Sequence, residues 1–211
     1  MNVLRKPFRW RNYGAVFWII GINILVFLGG MAMGRGQRFV NFFLGMTPDL
    51  VEEGWIWTFV TYMFVHGGIS HILFNMLALF FFGLPVERQM GSPEFILFYF
   101  ITGILAGFFS FLVYVFMGAG MVTLIGASGA VFAVQLAYAV FFPNSVIYLW
   151  GILPIKAPVM VLGFTGLEIF LMITGMGGNV AHMTHLAGFG VAWLYFLIRF
   201  GVNPWRRLTG W

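Results

Sequence analysis

The sequence predicts an all-α membrane protein, a bundle of six transmembrane helices with both termini in the cytoplasm and an outer loop embedded in the membrane. Composition, the number of apolar segments and the distribution of basic residues support this fold. Of the 211 residues, 61% are hydrophobic and 8% are charged, and the mean hydropathy is +0.96, which is far from a soluble domain. At about 20 residues per span, the chain holds six or seven helices joined by short loops. We therefore expect one transmembrane domain over residues 1–211.

Six apolar segments are predicted to form the spans. They cover residues 15–33, 69–86, 95–117, 127–142, 157–176 and 180–198. The first is longer than the apolar core of a usual signal peptide, about 7 to 15 residues, so it is interpreted as a span and not as a cleaved leader. In the third, Gly103 and Gly107 have the spacing that lets two helix backbones approach closely. A turn at Gly177–Asn179 separates the last two spans.

Basic residues indicate the orientation of the bundle. If the N-terminus is cytoplasmic, nine of the 11 Lys and Arg residues lie inside, and only Arg35 and Arg38 lie outside. The outer segment from Arg35 to Val65 mixes charged and aromatic residues, as expected at a membrane interface. The net charge of +5 is explained by these topology signals. A lipid bilayer is therefore the expected partner, and nucleic acid is not implied.

A candidate nucleophile lies at the start of the fourth predicted span. Ser128 stands among small residues in an otherwise apolar segment, and His182 and His185 begin the sixth span at the same expected depth. A serine hydroxyl becomes a useful nucleophile only when a base lies within hydrogen-bond reach. Gly188 follows His185 on its helical face and permits close packing, whereas Phe189 follows His182. The spacing therefore favours His185 as the base.

The second span offers candidate donors for an oxyanion. His71 and Asn75 are four residues apart, so they lie on one helical face and could donate N–H groups. The alternative that these two residues satisfy each other or cap a backbone break stays open. His66 lies in the preceding loop and is expected to stabilise that loop.

These polar residues on separate apolar segments suggest a hydrolytic site inside the membrane. Hydrolysis by a nucleophile or metal other than serine would need residues that the chain lacks. The chain has no cysteine, its one aspartate is Asp49 in the outer segment, and it has no HExxH motif. Without an aspartate near His185, a Ser-His dyad is expected, with no metal and no cofactor.

Glu168 interrupts the fifth span away from the outer cluster, so we interpret it as an interhelical hydrogen-bonding group. A haem or metal protein with all four histidines as ligands is the non-enzyme alternative, which leaves Ser128 and Asn75 unexplained.

Taken together, the motifs resemble those of the rhomboid intramembrane serine proteases over nearly the whole chain. The matching motifs are His66-xxxx-His71-xxx-Asn75, Gly83-xxx-Glu87-xxx-Gly91, Gly126-Ala127-Ser128-Gly129 and His185-xx-Gly188. The resemblance implies Ser128 as nucleophile, His185 as general base, and His71, Asn75 and the backbone N–H of Ser128 as the oxyanion hole. The residues that it implies in supporting roles are Gly126, Gly129, Phe132, Gly188, His66 and Glu87.

Four positions depart from the family pattern. Thr58 follows Trp57 where the family usually has an arginine, and Thr184 stands beside the base where an alanine or glycine is common. Ala192 replaces a frequent glycine, and Phe132 replaces a frequent tyrosine while keeping an aromatic face for His185. The resemblance implies transmembrane protein substrates, a water-filled cavity, and a multi-pass location that we expect to be the cytoplasmic membrane of a prokaryote. A catalytically inactive rhomboid-like binding protein is the alternative, although such relatives typically lack the serine or the histidine.

Overall fold

The computed structural model describes residues 7–32, 36–149, 151–175 and 179–210. In these parts of the chain the fold is mainly helical, with one short hairpin. The elements are α1 (Ala15–Ala32), α2 (Gly36–Leu44), α3 (Pro48–Glu52), α4 (Thr58–Thr61), α5 (Ile69–Ala78), α6 (Leu84–Met90), α7 (Ser92–Phe116), α8 (Ser128–Phe141), β1 (Val146–Leu149), β2 (Leu153–Lys156), α9 (Ala157–Thr174), α10 (Asn179–Tyr195) and α11 (Pro204–Thr209). A 3₁₀ turn at Tyr62–Phe64 extends α4, and π-helical turns at Leu79–Gly83 and Phe196–Phe200 join α5 to α6 and extend α10.

Five of the described helices are long and apolar enough to cross a membrane. They cover Ala15–Ala32, Ile69–Met90, Ser92–Phe116, Ala157–Thr174 and His182–Phe200. The second runs past its predicted end at residue 86 because the π-helical turn and Pro85, in the first turn of α6, do not interrupt it. The predicted ends at Met33 and Met176 lie outside the described residues. The orientation of the termini and the count of six spans stay predictions.

The fourth predicted span, α8, is shorter than the others and lies at the centre of the bundle. Its 14 residues rise about 21 Å, against a hydrocarbon thickness of about 30 Å. Ten of these residues are buried, mainly against α10 and then against α7 and α9. Small residues make this position possible: a Cβ on Gly188 of α10 would lie 2.1 Å from the carbonyl oxygen of Gly129. The two helix backbones are therefore in direct contact.

The glycine pair in α7 has a different use from the predicted one. A Cβ on Gly103 would lie 2.1 Å from Met63 Cε, and one on Gly107 would lie 2.7 Å from the ring of Tyr62. Side chains from the 3₁₀ turn fill this groove, and the Tyr62 hydroxyl donates a hydrogen bond to the Gly103 carbonyl at 2.7 Å. These glycines therefore make room mainly for side chains, and a Cβ on Gly103 would also lie 3.4 Å from the Ala130 Cβ of α8.

The segment predicted as an interfacial loop contains short helices. Three phenylalanines of α2, at positions 39, 42 and 43, are exposed, which suits contact with a membrane interface. Trp57 Nε1 donates to the Phe43 carbonyl at 3.0 Å, which fixes α2 to α4. Thr58, which stands where the family pattern has an arginine, is fully buried and donates to the Trp55 carbonyl at 2.6 Å. At position 58 the chain therefore has a small buried side chain with a local hydrogen bond in place of the family's arginine.

A β-hairpin was not anticipated in the all-α prediction. Strands β1 and β2 pair antiparallel, with Val146 opposite Lys156 and Leu149 opposite Leu153. The β-branched residues Val146 and Ile147 favour extended backbone, and Gly151 supplies the positive φ of 74° at the turn. The two strands lead directly into α9, and none of their residues lines the cavity beside Ser128.

Candidate active site

A glycine with a positive φ places Ser128 at the first position of α8. Gly126 has φ of 119°, and its N–H donates to the Tyr62 carbonyl at 2.9 Å. A Cβ at this position would also lie 2.8 Å from His71 Nε2, so both the backbone conformation and the space require glycine. The chain then turns into α8, where the first N–H groups of the helix have no partner within the helix itself.

His185 of α10 contacts Ser128 directly. The distance between His185 Nε2 and Ser128 Oγ is 2.8 Å, within the range for proton transfer. The Phe132 ring is stacked on the imidazole, with ring centroids 4.2 Å apart and planes 6° apart. One hydrogen bond and one stacked face thus hold the ring of His185 toward the serine.

An acidic side chain also lies at this site, and its position corrects two interpretations of the sequence. Glu168 Oε1 is 3.0 Å from His185 Nδ1, and Glu168 Oε2 is 2.5 Å from His182 Nδ1. The interhelical hydrogen bond expected of Glu168 is present. Its placement away from the outer cluster was wrong, however, and so was the conclusion that His185 has no acidic partner.

Antiparallel pairing explains this position of Glu168. Helices α9 and α10 are consecutive, and Glu168 lies six residues before the end of α9 while His185 lies six residues after the start of α10. Two antiparallel neighbours with equal rise per residue bring such positions to the same level. Counting outward from the predicted turn would have found this pair in the sequence. The predicted turn residues Gly177 and Gly178 lie outside the described residues.

The residue types around Glu168 are those of a metal site. The candidate ligand atoms of Glu168, His182 and His185 lie within 4.8 Å of one another. Each of the three side chains already makes a hydrogen bond within this group, so a hydrogen-bonded chain accounts for the arrangement. His66 and His71 form a separate pair, with ring centroids 5.0 Å apart.

The orientation of His71 makes one ring nitrogen available as a donor. The backbone N–H of Gly67 donates to His71 Nδ1 at 3.3 Å, so in the neutral ring the proton is on Nε2. This nitrogen faces Gly126, beside Ser128. Asn75 Nδ2 donates to the His71 carbonyl at 2.8 Å, which uses one of its two N–H bonds and leaves the other. The sequence left open that His71 and Asn75 satisfy each other. They do so in part, because Asn75 bonds the backbone carbonyl of His71 and not its ring.

These groups surround one cavity of about 620 Å³. Most of the surface that lines it is apolar, although half of the lining side chains are polar and converge near the serine. The polar side chains that line the cavity are Ser70, His71, Asn75, Ser128, Gln135, Glu168, Thr184 and His185. An apolar cavity with a few convergent polar groups is the usual form of a substrate site.

His66 lies beside this cavity in the loop that precedes α5. The side chain is buried, and Gln37 Nε2 donates to its carbonyl at 2.9 Å. Burial, together with the neighbouring His71 ring, lowers the pKa of His66 from 6.5 to about 4. The hydrogen bond from Gln37 uses the backbone of His66, so the loop-stabilising role expected of this residue stays a prediction.

The shifted pKa predicts a dependence of stability on pH. The unfolded chain takes up the proton of His66 below pH 6.5 while the folded protein resists it down to about pH 4, so stability is full above 6.5 and is lost as pH falls toward 4. The loss amounts to about 3 kcal/mol. Thermal unfolding in detergent between pH 7 and 4 should show a smaller pH dependence for His66→Gln than for the wild type. Parallel curves for the two proteins would contradict this assignment.

Of the six supporting residues, four belong to the site, His66 lies beside it, and Glu87 lies away from it. Gly126, Gly129, Phe132 and Gly188 contact the serine segment or His185. Glu87 lies at the opposite end of its span, where it accepts hydrogen bonds from the N–H groups of Ala15 and Val16 at 2.6 and 3.0 Å. It therefore caps the start of α1. Sequence reasoning missed Glu168 and Gln135 as residues that line the site cavity.

This fold and site define a class of protein: a multi-pass integral membrane protein with a serine and a histidine in contact beside a cavity. Residues 53–202 match the family model for the Rhomboid domain, which covers most of the chain. The chain therefore belongs to the rhomboid family.

Relatives of this chain come from plants and bacteria. The chain is 31% identical to the RHOMBOID-like protein 12, mitochondrial, of Arabidopsis thaliana over 89% of its own length and 64% of the relative. It is 31% identical to the putative rhomboid protease YdcA of Bacillus subtilis over 65% of its length and 64% of the relative. It is 32% identical to the rhomboid protease GlpG of Salmonella typhi over 45% of its length and 34% of the relative. The matches thus span less than two thirds of these relatives, and the mitochondrial one leaves the expected prokaryotic location unsupported.

Proposed function

We propose that this protein is an intramembrane serine endopeptidase that cleaves transmembrane segments of membrane-anchored proteins. The observation that carries the proposal is the 2.8 Å contact between Ser128 Oγ and His185 Nε2. An aromatic ring stacked on the imidazole and an adjacent cavity accompany this contact. A serine that only satisfied a buried histidine would need neither of them.

The reaction proceeds through an acyl-enzyme. Ser128 Oγ attacks the carbonyl carbon of the scissile peptide bond while His185 Nε2 takes the hydroxyl proton. The tetrahedral intermediate collapses when His185 returns this proton to the leaving amine, and the ester on Ser128 remains. A water molecule then attacks the ester with His185 again as base, and the product acid and free Ser128 are released.

Three donors are proposed for the oxyanion of the tetrahedral intermediate. One is the backbone N–H of Ser128, because it belongs to the N-terminus of α8, where free N–H groups and the helix dipole favour negative charge. The others are His71 Nε2–H, whose tautomer is set by the bond from Gly67, and the remaining N–H of Asn75. Such preorganised donors typically contribute 10²- to 10³-fold each, roughly.

Similarity to proteins that are named proteases supports activity. Several bacterial relatives carry the name rhomboid protease, and both Ser128 and His185 are present here and in contact. A binding protein of the same fold without catalytic activity would not need Ser128 and His185 to be in contact.

A fluorophosphonate probe tests the proposal. The purified protein is expected to be labelled by the probe in detergent and to cleave a transmembrane peptide in liposomes, because the activated Ser128 hydroxyl attacks both phosphorus and carbonyl centres. Ser128→Ala should lose labelling and cleavage and keep the thermal unfolding curve of the wild type. A wild-type protein that folds and is neither labelled nor cleaves would support the inactive binding protein instead.

A further inference from the structure

We infer that Glu168 is a positioning residue that fixes the tautomer and ring orientation of His185, so that the site is a Ser128-His185-Glu168 triad with His182 holding the carboxylate. The inference rests on the proposed function, because it concerns the same site. It replaces the dyad expected from the sequence with a chain of four side chains linked by hydrogen bonds. The links are 2.8, 3.0 and 2.5 Å long from the serine to His182.

The acid partner determines which nitrogen of His185 can act as base. An ionised carboxylate only accepts hydrogen bonds, so His185 Nδ1 must donate to Glu168 Oε1. In the neutral ring, Nε2 then carries a lone pair that faces the Ser128 hydroxyl. Without the carboxylate, the ring is free to carry its proton on Nε2, and that tautomer cannot take the proton of serine. In a soluble serine protease, a wrong tautomer alone lowers kcat about 10⁴-fold.

Burial makes the charge of Glu168 effective. Glu168 and His182 are each 8% exposed, so little water screens the carboxylate from the ring of His185. The attack by Ser128 creates an imidazolium on His185 next to this carboxylate, and the two opposite charges stabilise each other in the transition state. Burying a charged carboxylate on α9 costs free energy in the resting site. Stabilisation of the imidazolium in the transition state offers a functional reason for this cost.

His182 holds the carboxylate in place. Its Nδ1 bonds Glu168 Oε2 while Oε1 remains for His185, so each carboxylate oxygen has one imidazole partner. The two rings lie at a steep angle of 83° to each other, with centroids 6.5 Å apart. They therefore approach the carboxylate from different directions, which restricts its rotation.

The competing explanation is that Glu168 only links α9 to α10 by hydrogen bonds and has no effect on catalysis. Nitrogen chemical shifts distinguish this structural role from the positioning role. We would label all histidines with ¹⁵N and record the imidazole resonances of the wild type, of Glu168→Gln and of His185→Ala, which assigns the signals of His185. The wild type should show the neutral His185 ring protonated on Nδ1, and Glu168→Gln should raise the population protonated on Nε2. A structural tie alone predicts no change in tautomer.

Kinetics with a cleavable transmembrane peptide provide the second measurement. Glu168→Gln should lower kcat about 10²-fold or more with KM little changed, because the carboxylate acts on the base and does not bind substrate. Thr165→Val is the matched control: Thr165 lies one turn away on α9 and bonds only the backbone of its own helix, at 2.9 Å. It should keep the wild-type kcat. His182→Gln, which keeps an N–H donor, should retain more activity than His182→Leu.

The outcomes distinguish this inference from the proposed function. Wild-type kcat and unchanged tautomer in Glu168→Gln, with an active wild type, would overturn the triad and leave the protease standing. A wild type that neither cleaves nor reacts with the probe would overturn the protease. The wild-type ¹⁵N spectrum tests the positioning of His185 in either case, and also if a variant fails to fold: an Nε2-protonated ring would overturn the inference.

Discussion

Replacing His185 by alanine is expected to abolish both peptide cleavage and labelling by the fluorophosphonate probe. The imidazole is the one base within hydrogen-bond reach of Ser128 Oγ among the described residues, and a serine hydroxyl without a base is a poor nucleophile at neutral pH. Removing one member of such a unit costs about 10⁴- to 10⁶-fold in kcat in a soluble serine protease. Cleavage by His185→Ala should therefore fall to background while the thermal unfolding curve shows a folded bundle.

His182→Ala is the control for this prediction. His182 lies three residues away on the same helix, but its hydrogen bond is to Glu168 and not to the serine. This variant should be slower than the wild type and keep measurable cleavage and labelling. The reverse pattern, an inactive His182→Ala and an active His185→Ala, would contradict the assignment of the base.

Gly188→Ala should inactivate the protein without touching any catalytic side chain. The added Cβ would lie 2.1 Å from the carbonyl oxygen of Gly129 and 2.9 Å from its carbonyl carbon. Because these are backbone atoms of α8, they cannot rotate away, and α10 must move outward. His185 lies one turn before Gly188 on α10, so its contact with Ser128 lengthens. A displacement of about 1 Å at a reacting group can cost about 10²-fold in rate, and we expect at least that loss in kcat/KM.

Gly190→Ala provides a control on the same helix. A Cβ at this position meets nothing within 4 Å, and alanine favours a helix over glycine by about 1 kcal/mol. The variant should cleave peptide at the wild-type rate and unfold at the same temperature or slightly higher. Equal activity of Gly188→Ala and Gly190→Ala would show that the backbone contact does not set the catalytic distance.

The sequence was sufficient to predict the residues that meet through regular helix geometry. His71 and Asn75 share a face because four residues make about one helical turn. Ser128 and His185 could be paired because small residues on both helices permit close packing and the two residues begin their spans on one side. These inferences need only periodicity and alternating topology, both of which are local properties of the chain.

What the sequence did not reveal depends on which neighbour packs against a given face of each helix. Glu168 was judged by its position along one helix, whereas its surroundings are set by the antiparallel neighbour. Gly103 and Gly107 have a spacing that permits close helix contact, but the side chains of Tyr62 and Met63 compete for that groove and fill most of it. Spacing shows where room exists for a partner, and it does not show whether a backbone or a side chain fills that room.

The short central helix has a consequence for how the protein enters the membrane. With about 21 Å of length, α8 cannot cover the hydrocarbon layer alone, and it carries polar groups at Ser128 and Gln135. Its burial among α7, α9 and α10 shields those groups and its free N–H groups from lipid. Release of α8 into the bilayer as a separate segment would expose them at a cost of several kcal/mol each. We therefore expect α8 to leave the insertion machinery only together with the helices that cover it, and not as an independent span.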